Sequence, residues 1–339
     1  MTHLTYLEAA VVGLIQGVSE LFPVSSLGHN VLIPALIGGS WEQDLDVAKA
    51  ESPYLAFIVG LHVATAIALL IYFWRDWIRI IGGFLTSIRH RQVRTRDQKL
   101  AWMIILATIP VGLVGLVAEH PFREIFGKPI LAAVFLIVNG VILYCGEKFR
   151  PQASIQADQQ VLADQQVLAD QERAAEREDA LVAAGGARSH ARGHQAVRRE
   201  EIAQAIQADE RLARIGYGQA VLVGSAQILA LLAGISRSGV TMVAGMTRGL
   251  SREDAARFAF LLATPVILAA GVLKIPDLLG PLGNGIRGQI LLGSVLSGIG
   301  AYVSVRFLMR YFQTRTLTPF AIYCFVFGLL SVIYLGLIK

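Results

Sequence analysis

The chain has 339 residues, of which 54% are hydrophobic and only 16% are charged, and its formal net charge is +5. A mean hydropathy of +0.56 excludes an ordinary soluble globular protein and is typical of a membrane protein that crosses the bilayer several times. The only two cysteines, Cys145 and Cys324, both lie inside apolar stretches, which excludes a disulfide framework and a cysteine metal site.

The first apolar region, residues 5–37, is interrupted in its middle by "ELFPVSSLGHN" (residues 20–30). This interruption brings a carboxylate, a proline, two serines, a histidine and an asparagine to membrane depth, where irregular backbone must be buried by protein or line a wet cavity. We therefore predict a re-entrant helix–loop–helix. Neither a basic n-region nor a small-residue cleavage site flanks it, so we treat it as part of the mature fold and not as a signal peptide.

Three predicted spans follow, at residues 53–74, 100–118 and 130–147, each close to the roughly 20 apolar residues that a bilayer crossing requires. The loop 75–99 between the first two spans is strongly basic, and the positive-inside rule places it in the cytoplasm. The acidic loop 38–52 then lies outside.

The segment 151–213 has a different composition and contains no span. Its "DQQVLADQQVLADQE" repeats every six residues, so the apolar pairs rotate around a helix and form no continuous apolar face. We predict a solvated, charged cytoplasmic insertion that is partly helical or disordered. A partner-binding role and a tolerated linker both stay open.

A second broken apolar region, residues 216–246, is followed by predicted spans at 255–273, 288–308 and 318–338. The sequence from Tyr6 aligns with that from Tyr217 at a constant offset and without gaps.

Each half thus begins with a re-entrant region and continues with three spans. Because three is odd, the second half would enter the membrane from the opposite side. We therefore predict an all-α polytopic membrane protein with an inverted-topology repeat, residues 1–150 and 214–339, each half a re-entrant helix–loop–helix plus three transmembrane helices. The two polar loops would then meet near the midplane and form one site.

These two loops carry groups that suit an oxyanion or a phosphate. Gln16 and Glu20 are four residues apart and share one helix face. Arg237 lies in a turn rich in serine and glycine, where a guanidinium fork and converging backbone N–H groups can bind phosphate oxygens. The candidate residues are Gln16, Glu20, Ser25, Ser26, His29, Asn30, Ser236, Arg237, Ser238 and Thr241.

The same side chains also suit purely structural roles. Glu20 and Arg237 could form an ion pair between the repeats, His29 could be a packed core histidine, and the serines could cap helices. We interpret His62, in the span 53–74, as a packed or cavity-lining residue that stands apart from the site.

Two stretches, "QGVSELFPVSSLGH" (16–29) and "AGISRSGVT" (233–241), resemble the two signatures of the undecaprenyl-diphosphate phosphatase family of the bacitracin-resistance type. The downstream "RFAFLLATP" and "PFAIYCF" are similar to later segments of that family. Gln16 occupies an acidic position where the family also allows glutamine, and Ala233 replaces a proline. The long insertion is not part of the family's usual pattern.

The resemblance implies hydrolysis of undecaprenyl diphosphate to undecaprenyl phosphate and inorganic phosphate, at a site open toward the outer side of a bacterial plasma (inner) membrane. It also implies a divalent cation, Mg²⁺ or Ca²⁺. Ser26 is then the preferred nucleophile, whereas His29 would activate it, protonate the leaving group or act as the nucleophile itself. Glu20 with Gln16 would bind the cation or orient His29. Arg237 would hold the diphosphate, with help from Ser25, Ser236, Ser238 and Thr241.

The expected partners are a polyprenyl diphosphate lipid and the membrane lipids, without nucleic acid; a homodimer stays open. The alternative function is a flippase or transporter of a polyprenyl phosphate or another anion, because inverted repeats with broken helices are typical of transporters.

Overall fold

A computed structural model describes residues 4–45, 53–126, 128–183, 207–280 and 285–337, and regular structure in these ranges is entirely helical. The helices of the first half are α1 (Tyr6–Ser19), α2 (Ser26–Ile37), α3 (Ser40–Asp44), α4 (Pro53–Tyr72), α5 (Trp74–His90), α6 (Arg96–Phe126) and α7 (Pro129–Lys148). Then follow α8 (Gln152–Ala183), helical residues 207–213, α9 (Tyr217–Ser225), a 3₁₀ helix (Ala226–Leu231), α10 (Arg237–Thr247), α11 (Arg252–Leu279), α12 (Arg287–Thr314) and α13 (Thr318–Leu337). The all-α prediction is confirmed.

Five helical segments in the described ranges are long and apolar enough to cross a membrane, namely Arg96–Val117, Pro129–Lys148, Arg252–Leu273, Arg287–Thr314 and Thr318–Leu337. A sixth is reached when Phe57–Tyr72 and Trp74–His90, which are bent by 84°, are taken together. These positions agree with the predicted spans to within a few residues at most boundaries, so the chain has the helices of a multi-pass membrane protein.

The predicted loop 75–99 contains a helix that the sequence analysis missed. Helix α5 presents Ile78, Ile81 and Leu85 on an exposed apolar face, while Gly83 lies against α6. A Cβ on Gly83 would lie 2.7 Å from the carbonyl carbon of Asp97, so the glycine lets the two helices approach closely. The basic residues dominate the composition of this segment and hide its amphipathic period.

The two broken regions are built from helices too short to span. Helix α1 has 14 residues and α2 has 12, against the roughly 20 that a crossing needs. Helix α1 packs on α12, where a Cβ on Gly13 would lie 2.5 Å from the Gly293 carbonyl oxygen. Helix α9 packs on α6 in the same way, and a Cβ on Gly224 would lie 2.0 Å from the Ala107 carbonyl oxygen.

The insertion begins as one helix, α8, whose first turns dock on the membrane body. Ser154 Oγ donates to Leu250 O at 2.6 Å, and Asp158 accepts from Arg252 and lies 2.7 Å from Arg150 Nη2. Val161 is 2% exposed. One face of these turns is therefore held against the other helices by polar contacts and is not solvated. The apolar pattern alone predicts no such docking.

Ionic contacts join two loops that the topology prediction places on one side of the membrane. Arg79 Nη2 lies 2.7 Å from Asp209 Oδ2, and Arg96 pairs with Glu210. The same Asp209 binds Arg257 at 2.9 Å, which ties α5 and residues 207–213 to α11. The basic loop after α4 and the end of the insertion therefore lie at the same end of the helix bundle.

Candidate active site

The two broken regions meet through their helix caps. Ser25, the cap of α2, accepts hydrogen bonds from the backbone N–H of Gly28 and of Gly234, both at 3.2 Å. A Cβ on Gly28 would lie only 2.9 Å from Gly234 Cα, so the backbones of the two loops are in contact. Ser25 has φ 68 and Gly234 has φ +108, which are left-handed values that are strained for serine and easy for glycine.

Glu20 is the centre of the site and is 8% exposed. Its Oε1 accepts from the guanidinium of Arg237. Its Oε2 accepts from Ser26 Oγ at 2.5 Å and from Gln16 Nε2 at 2.8 Å, and His62 Nε2 lies 3.4 Å away. A buried carboxylate is costly unless it is paired and hydrogen-bonded, and these four groups supply that compensation.

Gln16 faces Glu20 with its amide N–H₂ and not with its oxygen. Gln16 is 0% exposed, and its Oε1 accepts from Asn30 Nδ2 at 2.7 Å. The reverse orientation would place a carbonyl oxygen against the carboxylate, so the orientation follows from the charge of Glu20. Gln16 and Glu20 thus do not offer two oxygens to one cation as they lie.

This donor set bears on the divalent cation that the resemblance implies. The described residues contain no group of three or more His, Cys, Asp or Glu side chains that could hold a metal. Mg²⁺ typically takes one or two carboxylates together with substrate phosphate oxygens and water. A single carboxylate, Glu20, fits a Mg²⁺-like cation that binds mainly through the diphosphate oxygens. It does not fit a metal site built from protein ligands alone.

His29 is engaged away from Ser26. Its Nδ1 lies 2.7 Å from Ser25 O, and because a carbonyl only accepts, Nδ1 carries the hydrogen. Its Nε2 lies 2.7 Å from the Tyr323 hydroxyl, and its ring stacks on Tyr323 and Phe327 with centroids 5.7 and 5.3 Å apart. The Ser26 hydroxyl donates to Glu20. The structure thus pairs the serine with the carboxylate, where the sequence analysis expected the histidine.

Arg237 is the first residue of α10, and Ser26 is the first residue of α2. The positive ends of both helices therefore converge on the same place, which favours an anion there. The Arg237 side chain is 19% exposed and binds Glu20 through Nη2. The rest of its guanidinium fork can face a phosphate.

Three predicted phosphate-binding hydroxyls are bonded to protein groups. Ser236 Oγ accepts from Gly239 N at 3.2 Å and lies 3.1 Å from Ser238 Oγ. Ser238 Oγ donates to Phe22 O at 3.3 Å, and Thr241 Oγ1 donates to Arg237 O at 2.7 Å. These three hydroxyls therefore hold the backbone of the two loops, whereas Gln16, Ser26 and Arg237 each contact Glu20 directly.

Asn139 on α7 is a site residue that the sequence analysis missed. Its Nδ2 donates to Pro23 O at 3.0 Å, and its Oδ1 accepts from Ser236 N at 3.0 Å, so one side chain binds both loops. It is 0% exposed in the middle of an otherwise apolar helix. An asparagine in the middle of a predicted span could have indicated Asn139 from the sequence, because polar side chains at membrane depth are usually functional.

His62 does not stand apart as expected. It lies on α4 with Nε2 directed at Glu20, and its side chain is 27% exposed against 4% for Glu20. The interpretation of His62 as a residue outside the site is therefore wrong. A lone histidine in an apolar span was the available signal.

Comparisons with known proteins agree with these observations. The family described as bacitracin resistance protein BacA matches residues 9–170 and 181–330. An undecaprenyl-diphosphatase of Mycolicibacterium paratuberculosis is 57% identical over 335 residues, which cover 99% of both chains. One of Mycobacterium avium is 56% identical over 99% of both chains, and undecaprenyl-diphosphatase 2 of Frankia alni is 53% identical over 98% of both. This coverage includes the insertion, so these relatives share it.

Proposed function

We infer that this chain is an integral membrane undecaprenyl-diphosphatase, because it belongs to the bacitracin resistance protein BacA family. It hydrolyses undecaprenyl diphosphate to undecaprenyl phosphate and inorganic phosphate, which recycles the lipid carrier of cell-wall synthesis. The observation that carries the mechanism is the contact of Ser26, Glu20 and Arg237 at the junction of the two broken regions.

The site geometry supports a division of labour in binding. The polyprenyl tail lies among apolar helices, and the diphosphate reaches the junction. Arg237 and the N-termini of α2 and α10 bind its oxygens. Ser236, Ser238, Thr241 and Ser25 hold the two turns that present these donors. Glu20 would hold a divalent cation, Mg²⁺ or Ca²⁺, together with the diphosphate oxygens, and such a cation would neutralise phosphate charge.

Ser26 Oγ attacks the terminal phosphorus, and Glu20 takes the serine proton. The bond from that phosphorus to the bridging oxygen breaks, and undecaprenyl phosphate leaves with the bridging oxygen and the proton from Glu20. Water then attacks the phosphoserine. Its proton goes to Glu20 and on to Ser26 Oγ, and inorganic phosphate is released. His29, which Tyr323 and Ser25 bind, holds the start of α2 and is the alternative nucleophile.

The test is phosphate release from undecaprenyl diphosphate by purified protein, combined with trapping of a phosphoenzyme. We expect Ser26→Ala to abolish both signals. Ser19→Ala is the matched control, because Ser19 is also buried in the first broken region but its hydroxyl donates to Ile15 O. Phosphate on His29 would overturn the assignment of the nucleophile. Flux of polyprenyl phosphate across sealed liposomes without hydrolysis would favour the transporter.

We also propose the inverted repeat, which the helix pairs support. Helix α1 of the first half packs on α12 of the second, and α9 of the second packs on α6 of the first. Helices α7 and α13 pack on each other at Gly140 against Ala321 and at Gly328 against Ala133, as expected near a two-fold axis.

The basic loops support a cytoplasmic location for that end of the bundle, in the bacterial plasma membrane, with the site open toward the outer side. A membrane-impermeant maleimide should label Ser40→Cys in intact cells and should not label Arg94→Cys; both positions are exposed. The reverse labelling pattern would contradict this orientation.

A further inference from the structure

His62 is held in a defined orientation beside Glu20. Its Nδ1 lies 2.9 Å from Ile58 O, one turn earlier in α4. Because the carbonyl only accepts, Nδ1 is the donor, and the ring turns Nε2 away from its own helix. Nε2 lies 3.4 Å from Glu20 Oε2.

The carboxylate oxygen that His62 faces is the one that binds Ser26. Ser26 Oγ donates to Glu20 Oε2 at 2.5 Å, so this oxygen is the proton acceptor in the proposed reaction. Arg237 binds the other oxygen, Oε1. Two side chains from different helices, α4 and α10, therefore orient the carboxylate.

Substrate binding changes the balance between these two groups. A diphosphate competes with Glu20 for the Arg237 guanidinium, because phosphate oxygens are strong acceptors for arginine. His62 contacts the other carboxylate oxygen, and the phosphate does not compete with Glu20 for it. It can keep Glu20 Oε2 directed at Ser26 while Arg237 turns toward the phosphate.

We propose that His62 is a positioning residue of the reaction, which holds Glu20 through an Nε2–H donor so that Ser26 is activated while the diphosphate is bound. This inference rests on the proposed function. Within the site, His62 interacts with Glu20 and, at longer range, with Arg237. Thr65 Oγ1 donates to His62 O at 2.7 Å and belongs to the scaffold of α4.

The experiment compares His62→Leu with His62→Gln. Leucine removes the donor at similar volume, whereas the glutamine amide nitrogen can take the place of Nε2. We expect His62→Leu to lower kcat for undecaprenyl diphosphate hydrolysis by about 100-fold, the lower range for loss of proton-transfer catalysis, while KM changes little. His62→Gln should recover most of kcat. Thr65→Val, one turn along the same helix, is the control and should keep near wild-type kcat.

Thermal unfolding in detergent is measured for each variant, since a folding defect would lower the active fraction without the recovery by glutamine. If His62→Leu does not fold, His62→Asn replaces it, because its shorter amide reaches the Nδ1 position and not the Nε2 position. Wild-type kcat in the leucine or asparagine variant, or equal loss in His62→Gln, would overturn the role of His62. Wild-type protein that releases no phosphate would overturn the proposed function and this inference together.

Discussion

Ser26 Oγ donates to Glu20 Oε2 at 2.5 Å, which joins the first residue of α2 to the carboxylate that follows α1. The chain turns back on itself between them, at Pro23 and the strained Ser25. In the low-dielectric interior of a membrane protein, this bond is stronger than it would be in water. The site therefore holds its serine on a proton acceptor before substrate arrives.

Replacement of Glu20 by Gln should lower kcat by about 100-fold or more, because the amide keeps the shape of the side chain but cannot accept the serine proton. Phosphate release at saturating substrate measures the loss. Glu8→Gln is the control, since Glu8 is also buried in α1 but caps the helix at Thr5. Near wild-type turnover in Glu20→Gln would remove Glu20 from the chemistry.

Replacement of Gln16 by Glu should create a resident cation site. Gln16 already touches Glu20 at 2.8 Å, and a second carboxylate there would repel the first unless a cation lies between them. We expect Mn²⁺ to bind the substrate-free variant at least about 10-fold more tightly than wild type, as measured by electron paramagnetic resonance. Gln227→Glu is the matched control, because Gln227 aligns with Gln16 in the sequence and is likewise buried. Equal Mn²⁺ affinity in wild type and Gln16→Glu would contradict this account.

Replacement of Gly234 by Ala should destabilise the turn that presents Arg237. Gly234 has φ +108, and a Cβ there would lie 2.3 Å from Ala132 O. The backbone strain alone should cost about 1–3 kcal/mol, and the clash adds to it. Thermal unfolding in detergent should show a lower Tm, together with reduced phosphate release. Gly218→Ala serves for comparison, since Gly218 lies inside α9 with no neighbouring atom within 4 Å of the added Cβ, and it should lower neither measurement.

Removal of the Asp209 charge should destabilise the fold, although Asp209 lies outside the candidate site. Asp209 is 1% exposed and pairs with Arg257, which is 5% exposed. Arg257 keeps its second partner, Asp76, at 2.9 Å after this change, so the loss stays below the about 3–5 kcal/mol that a buried charge without any partner costs. We expect Asp209→Asn to lower Tm clearly. Asp170→Asn breaks the exposed pair with Arg173 and should leave Tm nearly unchanged, because surface pairs contribute about 0–1 kcal/mol. Equal Tm values for the two variants would show that the ion pairs of Asp209 with Arg79 and Arg257 do not stabilise the fold.

Much of the fold was readable from the sequence, because hydropathy is a local property. Five of the six predicted spans and the two interrupted regions follow from apolar stretches and from the polar residues that break them. Helix α5 was not predicted, because its arginines lower the average hydropathy of the segment. The spacing of its apolar residues is nevertheless helical.

The candidate site was predicted as a set of residues but not as a set of contacts. The internal repeat indicated that Glu20 and Arg237 would meet, and the structure places them in contact. The repeat did not indicate that Ser26 binds Glu20 while His29 binds Tyr323 of α13, and the family resemblance implied that His29 could activate Ser26.

Composition, periodicity and motifs are properties of the chain itself, so they suffice to identify a membrane protein of the bacitracin-resistance type with two polar loops. Which groups share the carboxylate of Glu20 depends on the packed fold. His62 and Asn139 reach the loops from α4 and α7, and their distances depend on how helices far apart in sequence pack at their glycines. No local pattern encodes such distances, since they arise from the packing of the whole bundle.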